Sequence, residues 1–197
     1  MAGVTIDGVI LAGGASARMG GQKALAPFRG ATLIEAVIAR ARPQLGRLAL
    51  DAPKDSAELY RARFGDALPI LPDLYADRGG PLCGIATGLS WTSGDWLAVF
   101  PCDTPFLPLD LIAQLLRHAR SAPVVARNAQ VCGLWPKSCL DAMKEGLDDG
   151  RLRSVLSAVE FFGGAVVDID ASAEAFFNVN TPEDLKKAEG LRPSPAP

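Results

Sequence analysis

Residues 4–11, Val-Thr-Ile-Asp-Gly-Val-Ile-Leu, make a β-branched apolar run that stops at the glycine pair Gly13-Gly14. A run of this kind, apolar on both sides of the pleat, reads as a strand buried on both faces of a parallel sheet. Parallel strands need crossover connections, and the chain supplies them. Apolar runs at 48–50, 68–71 and 96–100 read as further strands, while 33–41, 56–64, 82–91 and 109–118 read as helices. In the first of these helices Leu33, Ile34, Ala36 and Val37 fall on one face. The alternation implies right-handed βαβ units and a doubly wound sheet. Strands at 123–126 and 131–135, joined by a turn around Asn128, break the alternation and add antiparallel strands at one edge. Short helices follow at 141–147 and 152–159. Thr181-Pro182-Glu183-Asp184 then opens a last helix with an N-cap, a first-turn proline and early acids. The expected fold class is α/β: a Rossmann-like, mostly parallel sheet with helices on both faces and a small antiparallel edge.

With 197 residues and 49% hydrophobic content, the chain can build one substantial core, so a single domain is expected over residues 1–190. The proline-rich stretch 191–197 reads as a disordered tail. A net charge of -2 lacks the broad basic footprint of nucleic-acid binding, which favours a small substrate. No apolar run reaches the roughly 18 residues of a membrane span, and residues 1–7 carry no basic segment ahead of an apolar one. A cytoplasmic location without membrane contact is expected. Cys83, Cys102, Cys132 and Cys139 lack the close pairing of zinc or redox sites and read as buried thiols.

The loop after the first strand, Leu11-Ala12-Gly13-Gly14-Ala15-Ser16-Ala17-Arg18-Met19-Gly20-Gly21-Gln22-Lys23, offers backbone N–H groups that an anion can approach without side-chain obstruction. It is not a P-loop, because Ala24 rather than a hydroxyl residue follows Lys23, and it lacks the G-x-G-x-x-G spacing of a dinucleotide turn. On these residues alone it is either a phosphate cradle or a tight turn with Arg18 and Lys23 in solvent.

Asp103 follows the 96–100 strand within Phe100-Pro101-Cys102-Asp103-Thr104-Pro105-Phe106, at the carboxyl edge of the sheet where α/β folds collect ligands. Its two readings are a hard oxygen ligand for Mg2+ and a cap on the next turn. Asp51 and Asp73 end or follow other strands, and Asp77 reads as a solvated turn acid. Asn178 and Asn180 alternate with apolar neighbours and can share one side of an extended segment, or close a turn. Arg151 and Arg153 either bind an anion or sit in solvent, and His118, the sole histidine, fits a helix end.

Taken in order, L-A-G-G, S-x-R-M-G and Lys23, then G-P-L-C-G, P-C-D-T-P-F and N-V-N-T-P-E-D-L, resemble the nucleotidyltransferases with a glycine-rich signature loop. The L-A-G-G form looks like the molybdenum cofactor guanylyltransferases, the molybdopterin-guanine dinucleotide biosynthesis protein A family, and the likeness spans residues 4–188. That resemblance implies a nucleotide-diphospho-sugar transferase-like fold and transfer of GMP from GTP to molybdenum-molybdopterin, with pyrophosphate released. It implies Leu11, Ala12, Gly13, Gly14, Lys23, Asp51, Asp73, Gly80, Pro81, Leu82 and Asp103 at the nucleotide. Arg18, Lys23 and Asp103 are the implied catalytic residues, with Asp103 on Mg2+. Asn178, Asn180, Arg151 and Arg153 are implied at the acceptor. A molybdenum-insertion protein and a target molybdoenzyme are implied partners. Two departures stand out: Asp51 occupies a position where the family often has asparagine, and Ala129-Gln130 stands where it often has His-Pro. The rival readings are a cytidylyltransferase of the same cofactor, a sugar-phosphate nucleotidyltransferase, and a non-catalytic nucleotide-binding protein.

Overall fold

The computed structural model describes residues 4–13, 23–75 and 78–192. Seven strands form one sheet: β1 (Ile6–Leu11), β4 (Arg47–Ala52), β5 (Ile70–Pro72), β6 (Trp96–Pro101), β7 (Val124–Ala126), β8 (Ala129–Pro136) and β9 (Ala165–Val167). Their spatial order is β5-β4-β1-β6-β8-β7-β9, and β2 (Pro27–Phe28) pairs with β3 (Ala31–Thr32) as a separate hairpin. β1 lies at the centre of the parallel part, paired with β4 and β6. β8 alone runs against its neighbours, since β9 is again parallel to β7. The expected mostly parallel sheet with a small antiparallel part is therefore present. The reversed strand is flanked on both sides, and the outer strand is β9, a short Ala-Val-Val run not assigned from sequence.

The described residues form seven α-helices: α1 (Leu33–Ala41), α2 (Lys54–Phe64), α3 (Pro81–Trp91), α4 (Leu111–Leu116), α5 (Leu140–Asp148), α6 (Val155–Phe161) and α7 (Pro182–Gly190). Alternate strand residues serve opposite layers, as the period-2 geometry of a strand demands. Ile10, Leu50, Ala98 and Phe100 pack with Val37 of α1, Tyr60 of α2 and Leu111 of α4. Val9, Leu11, Ala49 and Leu97 pack with Ile85 of α3, Met143 of α5 and Val159 of α6. A smaller cluster of Phe28, Leu33, Phe106, Val179 and Ala188 seats α7 and the hairpin. All four cysteines are buried free thiols, and no helix among the described residues is long and apolar enough to cross a membrane.

Local chemistry sets the element ends. Thr32 and Glu35 close a capping box at the start of α1, whose bounds match the pattern read from sequence. α4 begins at Leu111 rather than 109, after a turn in which the Leu111 N–H donates to the Pro108 carbonyl. α6 begins at Val155 rather than 152 because Ser154 and Ser157 form a reciprocal cap, while Leu152 packs in the core and its N–H donates to the Gly146 carbonyl. Leu191, placed in the tail from sequence, packs against the Phe28–Phe106 cluster; residues 193–197 lie outside the described residues.

The amino-terminal end of the sheet is tied by a buried charge. Asp7, 5% exposed, accepts hydrogen bonds from Arg47 at 2.6 and 3.1 Å, from the Thr92 hydroxyl at 2.8 Å and from the N–H groups of Ser93 and Gly94. Burial alone would raise its pKa, but these donors outweigh it and hold the carboxyl at about 2. Nearby, α3 lies close to the sheet. A Cβ on Gly88 would meet Leu97 at 2.7 Å and Val9 at 2.9 Å.

Candidate active site

The carboxyl ends of β1, β4 and β6 meet at one edge of the sheet, where Gly13, Pro53 and Asp103 just beyond them line a common cavity. Lys23 sits in a single 3-10 turn, Lys23–Leu25, and is only 8% exposed. Its ammonium donates to Asp103 Oδ2 and to Asn180 Oδ1, each at 2.6 Å. A buried ammonium is tolerated when charge-assisted hydrogen bonds satisfy it, and here the partners come from 80 and 157 residues away. The Val179 N–H donates to the Asp103 carbonyl at 2.9 Å, which holds the 178–180 segment beside the end of β6. Val179 is fully buried, whereas Asn178 and Asn180 on either side of it are exposed. A capping box between Thr181 and Asp184 then starts α7 and fixes the exit of this segment.

A cavity of about 480 Å³ lies alongside, a size that suits a nucleoside-sized ligand. Leu11 and Gly13 line it from the end of β1, Asp51 from β4, and Asp73 from the loop after β5. Gly80 and Pro81 line it from the start of α3, with Asp103 after β6 and Asn178 near the carboxyl terminus. These eight were expected from sequence. Ala12 is half-buried beside it and donates its N–H to the Asp51 carbonyl at 2.8 Å, and Leu82 points into the core. Gly14, Arg18 and Asp77 lie outside the described residues.

The two arginines expected at an acceptor are not part of the cavity wall. Arg151 pairs with Asp149 at 2.5 Å and stacks over Phe161, and Arg153 donates to the Gly150 carbonyl. Sequence reasoning missed Pro53, Arg78, Gly79, Gly84, Cys102 and Val131, all of which line the cavity. Arg78 directly precedes the G-G-P-L-C-G segment, and that adjacency was the available signal.

Asp51 is the unusual group. It is 5% exposed, and its Oδ1 is buried with no hydrogen-bond partner among the described residues. Burial, and secondarily the nearby Asp73 carboxylate, push its pKa up to about 7. Asp73 accepts the Tyr75 N–H at 2.8 Å in an Asx turn. A Cβ on Gly84 would lie 2.5 Å from Asp51 Oδ2 and 2.7 Å from Leu11, so the glycine leaves room for the carboxyl. The thiol of Cys102 is pushed up to about 12 by burial and Asp103, against the pull of Lys23, and is chemically inert.

A wall of backbone and small residues, a lysine clamped by an acid and an amide, and strand-end carboxylates can hold a nucleotide and neutralise charge at its phosphates. A family model described as MobA-like NTP transferase domain matches residues 8–162. A molybdenum cofactor guanylyltransferase of Mesorhizobium japonicum is 38% identical, covering 94% of this chain and 95% of its own. One from Rhodobacter capsulatus is 40% identical, with 93% and 95% covered. The crystal structure of molybdopterin-guanine dinucleotide biosynthesis protein A from Archaeoglobus fulgidus superposes with a TM-score of 0.77 at 23% identity, covering 93% of this chain and 97% of that one. The shared fold is thus the nucleotide-diphospho-sugar transferase-like one expected.

Proposed function

This chain belongs to the family of MobA-like NTP transferase domains, and on that premise we propose that it is a guanylyltransferase acting on the molybdenum cofactor. Its donor is GTP and its acceptor is molybdenum-molybdopterin. An oxygen of the acceptor's terminal phosphate attacks the α-phosphorus of GTP in line, the α–β phosphoanhydride bond breaks, and pyrophosphate leaves. The product is molybdopterin guanine dinucleotide. No covalent intermediate on the protein is needed, because positioning and charge neutralisation account for such transfers.

The observation that carries this reading is the Lys23 clamp on Asp103 and Asn180 at the rim of a nucleoside-sized cavity. Lys23 stands ready to exchange part of that clamp for phosphate oxygens. Arg18, from the glycine loop, is assigned to the same phosphates. Asp103 is the residue that would hold Mg2+. A single carboxylate fits this ion, which is commonly held by one or two carboxylates plus substrate phosphates rather than by an all-protein cage. When bound, the ion supplies neutralisation of phosphate charge. Leu11 to Gly14, Asp51, Asp73 and Gly80 to Leu82 are assigned to the base and ribose, and Asn178, Asn180, Arg151 and Arg153 to the acceptor side. The chain is read as cytoplasmic, with a molybdenum-insertion protein and a target molybdoenzyme as onward partners.

Magnesium-dependent binding of GTP, CTP and UTP to the full chain tests the donor assignment. GTP is expected to bind tightest; a preference for CTP or UTP contradicts it.

A further inference from the structure

The cavity wall carries charged side chains of both signs: Asp51, Asp73, Asp103 and Arg78. The buried thiol of Cys102 feels Asp103 and Lys23. On α3, packed in the core, the thiol of Cys83 is raised by burial and by Asp73, lowered by Arg78 and raised again by Asp51. Arg78, Asp73 and Asp51 all line the cavity, whereas Lys23 of the clamp is bonded to Asp103 and Asn180. Arg78 is the one basic side chain among the described lining residues.

Its own geometry shows how it would act. Nη1 donates to the Leu147 carbonyl at 2.8 Å and to Asp148 at 3.1 Å, and the guanidinium lies 5.7 Å from the centre of the Tyr75 ring. Nε and Nη2 have no hydrogen bond among the described residues. These two nitrogens form the side-on edge of the fork, the edge that meets two adjacent acceptors at once. A fork of donors set among carboxylate acceptors is complementary to guanine, which presents the acceptors N7 and O6 on one edge and the donors N1–H and N2–H2 next to it. Adenine places a donor where guanine has O6, and cytosine and uracil have no N7 edge.

Building on the guanylyl-transfer reading, we infer that Arg78 is a specificity residue whose Nε–Nη2 edge binds O6 and N7 of the guanine base, while Asp73 and Asp51 face its N1–N2 edge. The side chain is held ready by the end of α5 and by Tyr75, so little ordering cost falls on binding.

The test compares GTP with 7-deaza-GTP, in which N7 is replaced by a C–H group, by titration calorimetry on the full chain with Mg2+. The wild type is expected to bind 7-deaza-GTP about tenfold more weakly than GTP, in line with one good bidentate contact. Arg78→Ala and Arg78→Lys should bind GTP about tenfold more weakly and treat the two nucleotides alike. Asp148→Ala loosens the same anchor but keeps the fork, and should retain the discrimination. A role confined to fastening α5 would weaken both nucleotides equally and leave the ratio intact in Arg78→Lys, and that result overturns the inference. A wild type that prefers GTP over CTP yet ignores the loss of N7 also overturns it. A wild type with no preference for GTP over CTP contradicts the guanylyl reading, and the inference with it.

Discussion

Replacing Asp51 with asparagine tests the electrostatics of the cavity without changing its shape. The Asp51 carboxyl titrates at about 7 in the folded protein against an ordinary value of 3.8, because burial and then Asp73 disfavour its charge. Between those two values the native state holds a proton that the unfolded chain has lost, so stability falls as pH rises through the window and levels off above about 7. At about 1.36 kcal/mol per pH unit the full window is worth about 4 kcal/mol, of which the stretch from pH 5 to 7 carries about 3 kcal/mol. Asp7, held at about 2, acts below pH 4 and does not intrude: its contribution is present above 3.8 and is lost as pH falls toward 2. Urea unfolding should therefore show the wild type losing up to about 3 kcal/mol between pH 5 and pH 8, a loss that Asp51→Asn does not share. Asp73→Asn should remove only the smaller part of the effect, since burial is the larger cause. Equal losses in wild type and Asp51→Asn would refute the argument that a charged Asp51 is what the fold resists.

Lys23→Ala and Asp103→Asn should each lower the turnover rate by about 100- to 1000-fold while circular dichroism shows an intact fold, because the charge stabilisation lost is of the oxyanion-hole kind. Asp7→Ala leaves Arg47 and three further donors without their acceptor and should cost about 3 kcal/mol in urea unfolding, with nucleotide affinity preserved in the folded fraction. Gly84→Ala puts a methyl 2.5 Å from Asp51 and should cost about 1 to 3 kcal/mol of stability and weaken GTP binding in a direct titration.

The layers of this fold were legible because they rest on periodicity. Runs such as Trp96–Pro101 and Leu33–Ala41 carry their own pattern and matched within a residue. β9 was hidden because three residues after Gly163-Gly164 carry no period, and their strand character comes only from pairing with β7. Shifts at α4 and α6 came from turn and cap hydrogen bonds that hydrophobicity does not report. In the site, Lys23, Asp103 and Asn180 were named from ordered motifs, but their meeting is a property of the sheet, which brings together segments 80 and 157 residues apart. Arg78 and Gly84 were missed because a loop arginine and a helix glycine look ordinary until the cavity wall is known. Arg151 and Arg153 were named from the family resemblance, and their hydrogen bonds to Asp149 and the Gly150 carbonyl are local contacts that no sequence pattern reported.

The central claim is tested most directly by incubating the full chain with GTP, Mg2+ and molybdenum-loaded molybdopterin and following the products by mass spectrometry. Guanylyl transfer predicts the guanine dinucleotide of molybdopterin together with one pyrophosphate per turnover, and neither with Lys23→Ala. Consumption of neither substrate, or a dinucleotide formed from CTP in preference to GTP, would contradict it.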